Sequence, residues 1–488
     1  MPENIEYSRR SDRHKKSSNK KPSLSRWFFI PLLLIILLLV TAGSYFGVKQ
    51  YVEQKEKEEH FAAQEQKILK EIQEQQDQSE LQTEKEVTKH SKQTAIVYSP
   101  KKGQAPNDLS KEKLEKLLQK EQKKTNPSKA GIFVAHIHEK KATEKLKNQS
   151  LSVDSYLWND QKEVFEKQEE LSGESLYTLV ETGEKVTGKT LIESEENLLG
   201  IQQVIQQKIL DQAKEPNKII DAVLNLPRIS FKDEIDYSPE KIHIHLPDNK
   251  TGVHAIDLDY NEIQPFIKTD LVDPKFLEDK QPSNEKGGKQ IALTFDDGPN
   301  AETTPKLLEI LKEKDVNGTF FILGQNAQEA PDVVKSVHEQ GHEIASHSYS
   351  HPQLDALSEK EVKEEVLKAD KAIFEASGIL PKSLRPPYGA IDKKSAEIVG
   401  KPIIQWNIDS LDWQSKNAQA VISTVNQVAQ DGGIILMHDI HPSTVDAVGT
   451  VIDDLKNQGY EMVTVSQMLG NQEKPLTQYF GQDDHRKV

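Results

Sequence analysis

No cysteine occurs among the 488 residues. Disulfides, thiolate metal ligands and a cysteine nucleophile are therefore all excluded, and a chain of this size must be held by ordinary cores. Positive charge is scarce beyond the first segment. Residues 1–26 carry eight Lys or Arg against three Asp or Glu, and the chain total of −15 leaves −20 on the remainder. So acidic a body argues against nucleic acid as a partner, because phosphate contacts need Lys and Arg. Apolar residues are few, at 35%. One stretch runs the other way: Trp27–Val48 holds no charge, and Pro31–Val40 is nearly pure Leu and Ile. That matches the ~20 residues a helix needs to cross a bilayer. The basic flank precedes it, which places the N-terminus in the cytoplasm and residue 49 onward outside. A cleaved leader would have a shorter apolar core ending in small residues. Thr41-Ala42-Gly43-Ser44 offers those, but Tyr45, Phe46 and Val48 continue the run, so an uncleaved single-pass anchor in the cell membrane is expected.

At this length two or three domains are expected. Residues 50–92 are dominated by Glu, Gln and Lys with scattered Phe61, Ile68 and Ile72, which reads as a solvated helical stalk reaching ~60 Å at ~1.5 Å per residue. Ala95–Tyr98 and Gly131–Ala135 read as strands, Leu109–Lys123 and Glu195–Lys214 as helices, and Lys241–Leu246 and Val253–Leu258 as short alternating strands. Polar, turn-rich Lys280–Gly288 reads as a linker. From Lys289 short apolar strands alternate with helices, seven or so units in some 190 residues. Repeated βα units imply parallel strands and a compact β/α barrel short of the full eight units. The division expected is a basic tail (1–26), an anchor (27–48), a stalk with a small N-terminal domain (49–126), an α+β middle domain (127–285), a catalytic α/β domain (286–475) and a C-terminal tail (476–488).

The chemistry gathers in the last third. Thr294-Phe295-Asp296-Asp297-Gly298-Pro299 places two adjacent carboxylates where an apolar strand breaks into a turn, so both can face one pocket, one holding a metal and the other free as a base. His347-Ser-Tyr-Ser-His351 suits two imidazoles on one ion and follows apolar Ile344-Ala345 at a strand's C-terminal end. His338 and His342 repeat the spacing across a helix end and the turn at Gly341, and are expected to be surface residues. Arg385-Pro386-Pro387-Tyr388-Gly389, Asp409-Ser410-Leu411-Asp412-Trp413 and Leu436-Met437-His438-Asp439 complete the set. Taken singly, each is compatible with a cap, a rigid loop or a packed core residue. All five at strand ends of one barrel-sized segment point to a metal-dependent hydrolase.

This segment, roughly 289–470, resembles the polysaccharide deacetylases of the NodB-type fold, carbohydrate esterase family four, whose five motifs it matches in order. With its anchor and extra extracellular region the chain is similar to the membrane-anchored peptidoglycan N-acetylglucosamine deacetylases of Gram-positive cocci. The resemblance implies a distorted (β/α)7-like barrel. It implies Asp297, His347 and His351 as ligands of one divalent ion, with zinc expected and cobalt or manganese compatible with the same N/O donors. Asp296 would be the base that takes the proton of the attacking water, Arg385 would orient it, and the backbone N–H of Tyr388 would face the oxyanion. His438, charged through Asp412, would be the general acid, with Trp413 and Leu436 walling the acetyl-methyl pocket. The implied substrate is peptidoglycan glycan, deacetylated outside the cell, and the product should resist lysozyme. Chitin, an exopolysaccharide or acetylated xylan are alternatives that the motifs do not separate; a wall-binding or sensor protein with an accessory barrel is a third. Residues 127–285 distantly resemble an extracellular domain of unknown role beside such enzymes. His136 with His138, and His243 with His245, each share a strand face; they are expected to face solvent, a second metal site being the lesser alternative.

Overall fold

A computed structural model describes residues 29–79, 81–101, 109–238, 240–277 and 288–488, with side chains from residue 34. The basic tail, the start of the apolar run and most of the expected linker lie outside these residues. The chain forms two compact units: Met1–Val97 with Lys116–Ala135 and Val153–Leu171, and Tyr98–Glu115 with His136–Ser152 and Ser172–Val488.

In the first unit, helix α1 spans Phe29–Asp77. Its stretch from Leu34 is long and apolar enough to cross a membrane. Along the chain, and not confined to that unit, follow strands β1 (Thr83–His90), β2 (Gln93–Pro100), β3 (Gly131–Lys141), β4 (Leu146–Asn159) and β5 (Val164–Lys167), with helix α2 (Lys111–Lys124) between β2 and β3. β2 and β3 pair in parallel from Gln93↔Gly131 to Val97↔Ala135, and β4 and β5 pair antiparallel. The expected solvated helix over 50–92 is corrected twice. It ends at Asp77, and Phe61 packs its ring 4.8 Å from Trp158 and 5.3 Å from Phe165. Residues 83–90 then form a strand exposed along nearly its whole length, so its Lys and Glu hide the β-branched Thr83, Val87 and Thr88 from a periodicity reading.

The second unit begins its own core with β6 (Leu171–Leu179), α3 (Gly188–Ile192), α4 (Glu195–Gln212) and α5 (Pro216–Leu224). A three-stranded antiparallel sheet, β7 (Ile235–Tyr237), β8 (Lys241–His245) and β9 (Ala255–Asp259), closes with α6 (Tyr260–Ile263). Ser194 caps α4, whose Leu198, Ile201, Ile205 and Ile209 lie on one buried stripe.

From Lys289 the second unit alternates β10 (Lys289–Asp296), α7 (Thr304–Glu313), β11 (Thr319–Ile322), α8 (Gly324–Glu329), α9 (Pro331–Glu339), β12 (Glu343–Ser346), α10 (Glu359–Ser377), α11 (Lys393–Val399), β13 (Ile403–Ile404), β14 (Ile408–Asp409), α12 (Asp412–Ser415), α13 (Ala418–Val428), β15 (Gly433–His438), α14 (Pro442–Asn457) and β16 (Tyr460–Val463). The strand order is β12-β11-β10-β15-β14, all parallel. β16 pairs the first half of β10 and β11 the second half. Alternation along β10 sends Ile291, Leu293 and Phe295 into the helix-facing core, while Ala292 joins Phe321, Ala345, Ile404 and Ile434 inside the barrel. Thr294 and Asp296 share the inner face with Ala292, which sets the site.

The apolar stretches on this side of the barrel form little regular strand: Leu384 makes only single bridges to Ser346 and Ile403, and between β13 and β14 the pairing breaks at Gln405–Asn407. The gap is filled by residues expected to be a tail. β17 (Thr477–Tyr479) pairs β13 in parallel and β18 (His485–Lys487) folds back on it, because Thr477 and Tyr479 are buried against the barrel. This substitution of a C-terminal strand makes the barrel distorted.

Candidate active site

Parallel register aligns Asp296 with Phe321 and with His438, so three strands end at one rim. An extended Asp297 would face the outer helices. Its φ of 72° turns the chain instead, and both carboxylates reach one imidazole: His347 Nε2 lies 3.8 Å from Asp296 Oδ2 and 3.5 Å from Asp297 Oδ1. Gly298 permits the turn, since a Cβ there would stand 2.3 Å from the Asp439 carboxylate.

His347, at the end of β12, donates Nδ1–H to the Arg385 carbonyl at 2.7 Å, which leaves Nε2 as a lone pair aimed at the acids. Burial pushes its pKa down to about 3, so it is neutral at working pH. His351 Nε2 lies 3.4 Å from Asp297 Oδ1. Between the two, Glu365 on α10 accepts the N–H groups of Tyr349 and Ser350 at 2.9 and 2.8 Å and the Ser350 hydroxyl at 2.8 Å. The ligand atoms of Asp297, His347 and His351 all lie within 4.8 Å of one another. Among the described residues, buried Asp297 Oδ1 has no hydrogen-bond partner. Separations of 3.4 and 3.5 Å exceed a hydrogen bond but approach the ~3.3 Å between two donors on a tetrahedral ion with ~2.0 Å bonds. An unpaired buried carboxylate oxygen facing two imidazoles fits a divalent cation of the N/O-binding kind.

Arg385 lies fully buried beside this triad. Its Nη1 donates to Asp296 Oδ1 and Thr294 Oγ1, both at 2.7 Å, spanning two layers of the barrel interior. Nη2 and Nε donate to the Gln405 and Ile404 carbonyls, and the Phe321 ring lies 3.9 Å beneath the guanidinium. Burial still outweighs this cation and leaves the Asp296 carboxyl above its usual range, a pKa fit for a base rather than a permanent anion.

On β15, His438 and Leu436 share the inner face, one layer apart. Asp412, fully buried, accepts the ring Nδ1–H of His438 at 2.9 Å, its backbone N–H at 2.7 Å, the Thr444 hydroxyl at 2.7 Å and the Trp413 N–H at 2.8 Å. Burial pulls the His438 pKa down, but the Asp412 bond and charge, helped by Asp296 and Asp297, outweigh it and raise it to about 9. Tyr388 sits at φ 59° with its ring 4.7 Å from that of His351 and 69% of its surface exposed. Trp413 is half exposed beside Asp412, and Leu436 is buried.

The sequence reading gave no role to Glu365, nor to Asp439, whose carboxylate takes the Thr304 hydroxyl and which burial raises to about 7. The only signal for Asp439 was a second acid directly after His438. The spare His338–His342 pair makes no site. His342 is buried rather than superficial, with its ring 5.3 Å from Phe320, its Nδ1 accepting the Gly318 N–H and its pKa lowered by burial to about 4.

Residues 283–402 match the polysaccharide deacetylase family, and residues 66–281 match the peptidoglycan GlcNAc deacetylase N-terminal domain. Peptidoglycan-N-acetylglucosamine deacetylase PgdA of Listeria monocytogenes is 32% identical over 406 residues, covering 80% of this chain and 86% of the relative. Peptidoglycan-N-acetylmuramic acid deacetylase PdaC of Bacillus subtilis is 38% identical over 189 residues, 39% of this chain and 40% of the relative. The solved structure of that peptidoglycan deacetylase aligns at 38% identity with a TM-score of 0.37, covering 38% of this chain and 91% of that chain.

Proposed function

We propose that this chain, which belongs to the polysaccharide deacetylase family, hydrolyses the N-acetyl group of N-acetylglucosamine in peptidoglycan, yielding acetate and a free amine on the glycan. The observation that carries the reading is the convergence of Asp297, His347 and His351 beside an unliganded Asp296, with His438 on the neighbouring strand. When bound, a divalent cation supplies Lewis-acid polarisation and a water of lowered pKa, and the two-imidazole, one-carboxylate set suits zinc, with cobalt or manganese compatible.

The side chains divide the proton work. Asp296 accepts the proton of the attacking water, held in place by Arg385. His438 carries a proton at neutral pH and gives it to the departing nitrogen, which is a poor leaving group without it. Tyr388 offers a backbone N–H at the rim for the developing oxyanion, and its left-handed conformation exposes the ring to the glycan. Leu436 and Trp413 wall the space for the acetyl methyl. The apolar helix from Leu34 anchors the chain, with the basic N-terminus in the cytoplasm and the catalytic unit facing the wall. Removal of acetyl groups and exposure of protonated amines would protect the wall from lysozyme.

The PgdA relative matches the N-terminal region as well as the barrel, which favours N-acetylglucosamine in peptidoglycan over a barrel-only polysaccharide substrate. Acetate release from peptidoglycan, chitin oligomers and acetylated xylan, measured side by side with the full chain in detergent, tests this. Peptidoglycan should be the fastest substrate, with new amines on glucosamine; faster release from xylan or chitin, or amines on muramic acid alone, would refute the assignment.

A further inference from the structure

The sheet β7-β8-β9 turns Ile242, Ile244, Ile256 and Leu258 into its core. Period-2 alternation therefore gathers Glu234, Asp236, His243, His245 and Asp257 on the other face. The two histidines are used differently. His243 Nδ1 lies 2.7 Å from Asp257 Oδ1, a hydrogen bond, and Asp257 also takes the Lys241 ammonium. His245 is held beside Glu234 by its backbone N–H to the Glu234 carbonyl at 2.9 Å. Its Nε2 stands 3.6 Å from Asp236 Oδ2 and 3.8 Å from Glu234 Oε2.

Those separations are too long for hydrogen bonds and within about half an ångström of the ~3.3 Å spacing of two donors on a tetrahedral ion. The active-site triad, built from the same donor types, shows 3.4 and 3.5 Å. All three ligand atoms of Glu234, Asp236 and His245 lie within 4.8 Å of one another. Among the described residues neither carboxylate pairs with a Lys or Arg, so His245 alone stands between two like charges.

We infer that Glu234, Asp236 and His245 form a second divalent-cation site, outside the catalytic centre. One imidazole nitrogen and two carboxylate oxygens leave positions for water and favour zinc or manganese over magnesium or calcium. The ion ties β7, a three-residue edge strand, to β8. Glu234 and Asp236 are exposed and His245 half exposed, whereas His347 is buried, so this ion exchanges faster with chelator than the catalytic ion.

Zinc bound per chain, measured by equilibrium dialysis against zinc chloride with the full chain in detergent micelles, tests the site. Wild type should bind two zinc ions. His347→Ala/His351→Ala should keep one, and His245→Ala or the milder Asp236→Asn should also keep one. Combining the His245 and active-site changes should leave none. Unchanged far-UV circular dichroism and acetate release within about twofold of wild type would show that the β7–β8 variants fold. A single zinc in wild type, or a second zinc retained in both Asp236→Asn and His245→Ala, overturns the inference.

Discussion

Asp412→Asn isolates the charge that keeps His438 protonated. Asp412 is fully buried and sends one carboxylate oxygen to the His438 ring at 2.9 Å and the other to its backbone N–H and to Thr444. The shape survives in asparagine; the charge does not. With Asp412 ionised His438 titrates at about 9, above the ordinary 6.5. Without it, burial acts against the imidazolium with only Asp296 and Asp297 opposing, and the pKa falls to the ordinary value or below. The sign follows: a general acid works only when protonated, so activity is lost as pH rises through its pKa. At pH 7.5 the protonated fraction drops from about 0.97 to about 0.1 or less, a loss of at least about tenfold from titration alone. Disturbed orientation of the ring adds to this and brings the total to about 10²-fold. The assay is kcat for acetate release from pH 5 to 10. Wild type should decline near pH 9, and the variant should decline at least two pH units earlier. A variant that keeps the wild-type alkaline limb, or loses less than about threefold at pH 7.5, would refute the acid role of His438.

Arg385→Met leaves Asp296 buried without its cation and should cost about 3–5 kcal/mol in denaturant unfolding followed by tryptophan fluorescence. Because burial already raises the Asp296 pKa and Arg385 opposes that, the acid limb of kcat/KM should move to higher pH in any folded fraction; a cost below 1 kcal/mol would show that the pair is not needed. Glu365→Ala removes three hydrogen bonds that shape the His347–His351 loop and should weaken metal retention about 10–100-fold in chelator competition, with the substrate KM little changed. Unaltered metal affinity would mean that the loop holds its shape alone.

The residues at the rim were legible because strand alternation and strand ends leave local marks: apolar Ile291–Leu293 before two acids, Ile344-Ala345 before His347, Leu436-Met437 before His438. What supports them was not. Thr304 meets Asp439 across 135 positions, and Glu365 reaches the histidine loop from a helix whose surface pattern gives no hint of it. The two-residue strands at Ile403 and Ile408 are too short for any period, and β17 is only three residues long just after Pro475, so only the fold shows that Tyr479 is buried. In α1 the same Glu- and Lys-rich composition covers both an exposed stretch and the part packed on Trp158.

One divalent ion is expected among Asp297, His347 and His351, with Asp296 beside it as base. Metal content and acetate release should be measured together on wild type, chelator-stripped protein, His347→Ala and Asp296→Asn. Stripping should remove the metal and abolish acetate release; His347→Ala should lose the active-site ion and acetate release while the ion held by Glu234, Asp236 and His245 stays; zinc should restore activity only to the stripped wild type; and Asp296→Asn should keep the active-site metal while losing about 10²–10⁴-fold in rate. Acetate released at the full rate by stripped protein, or by Asp296→Asn, would contradict it.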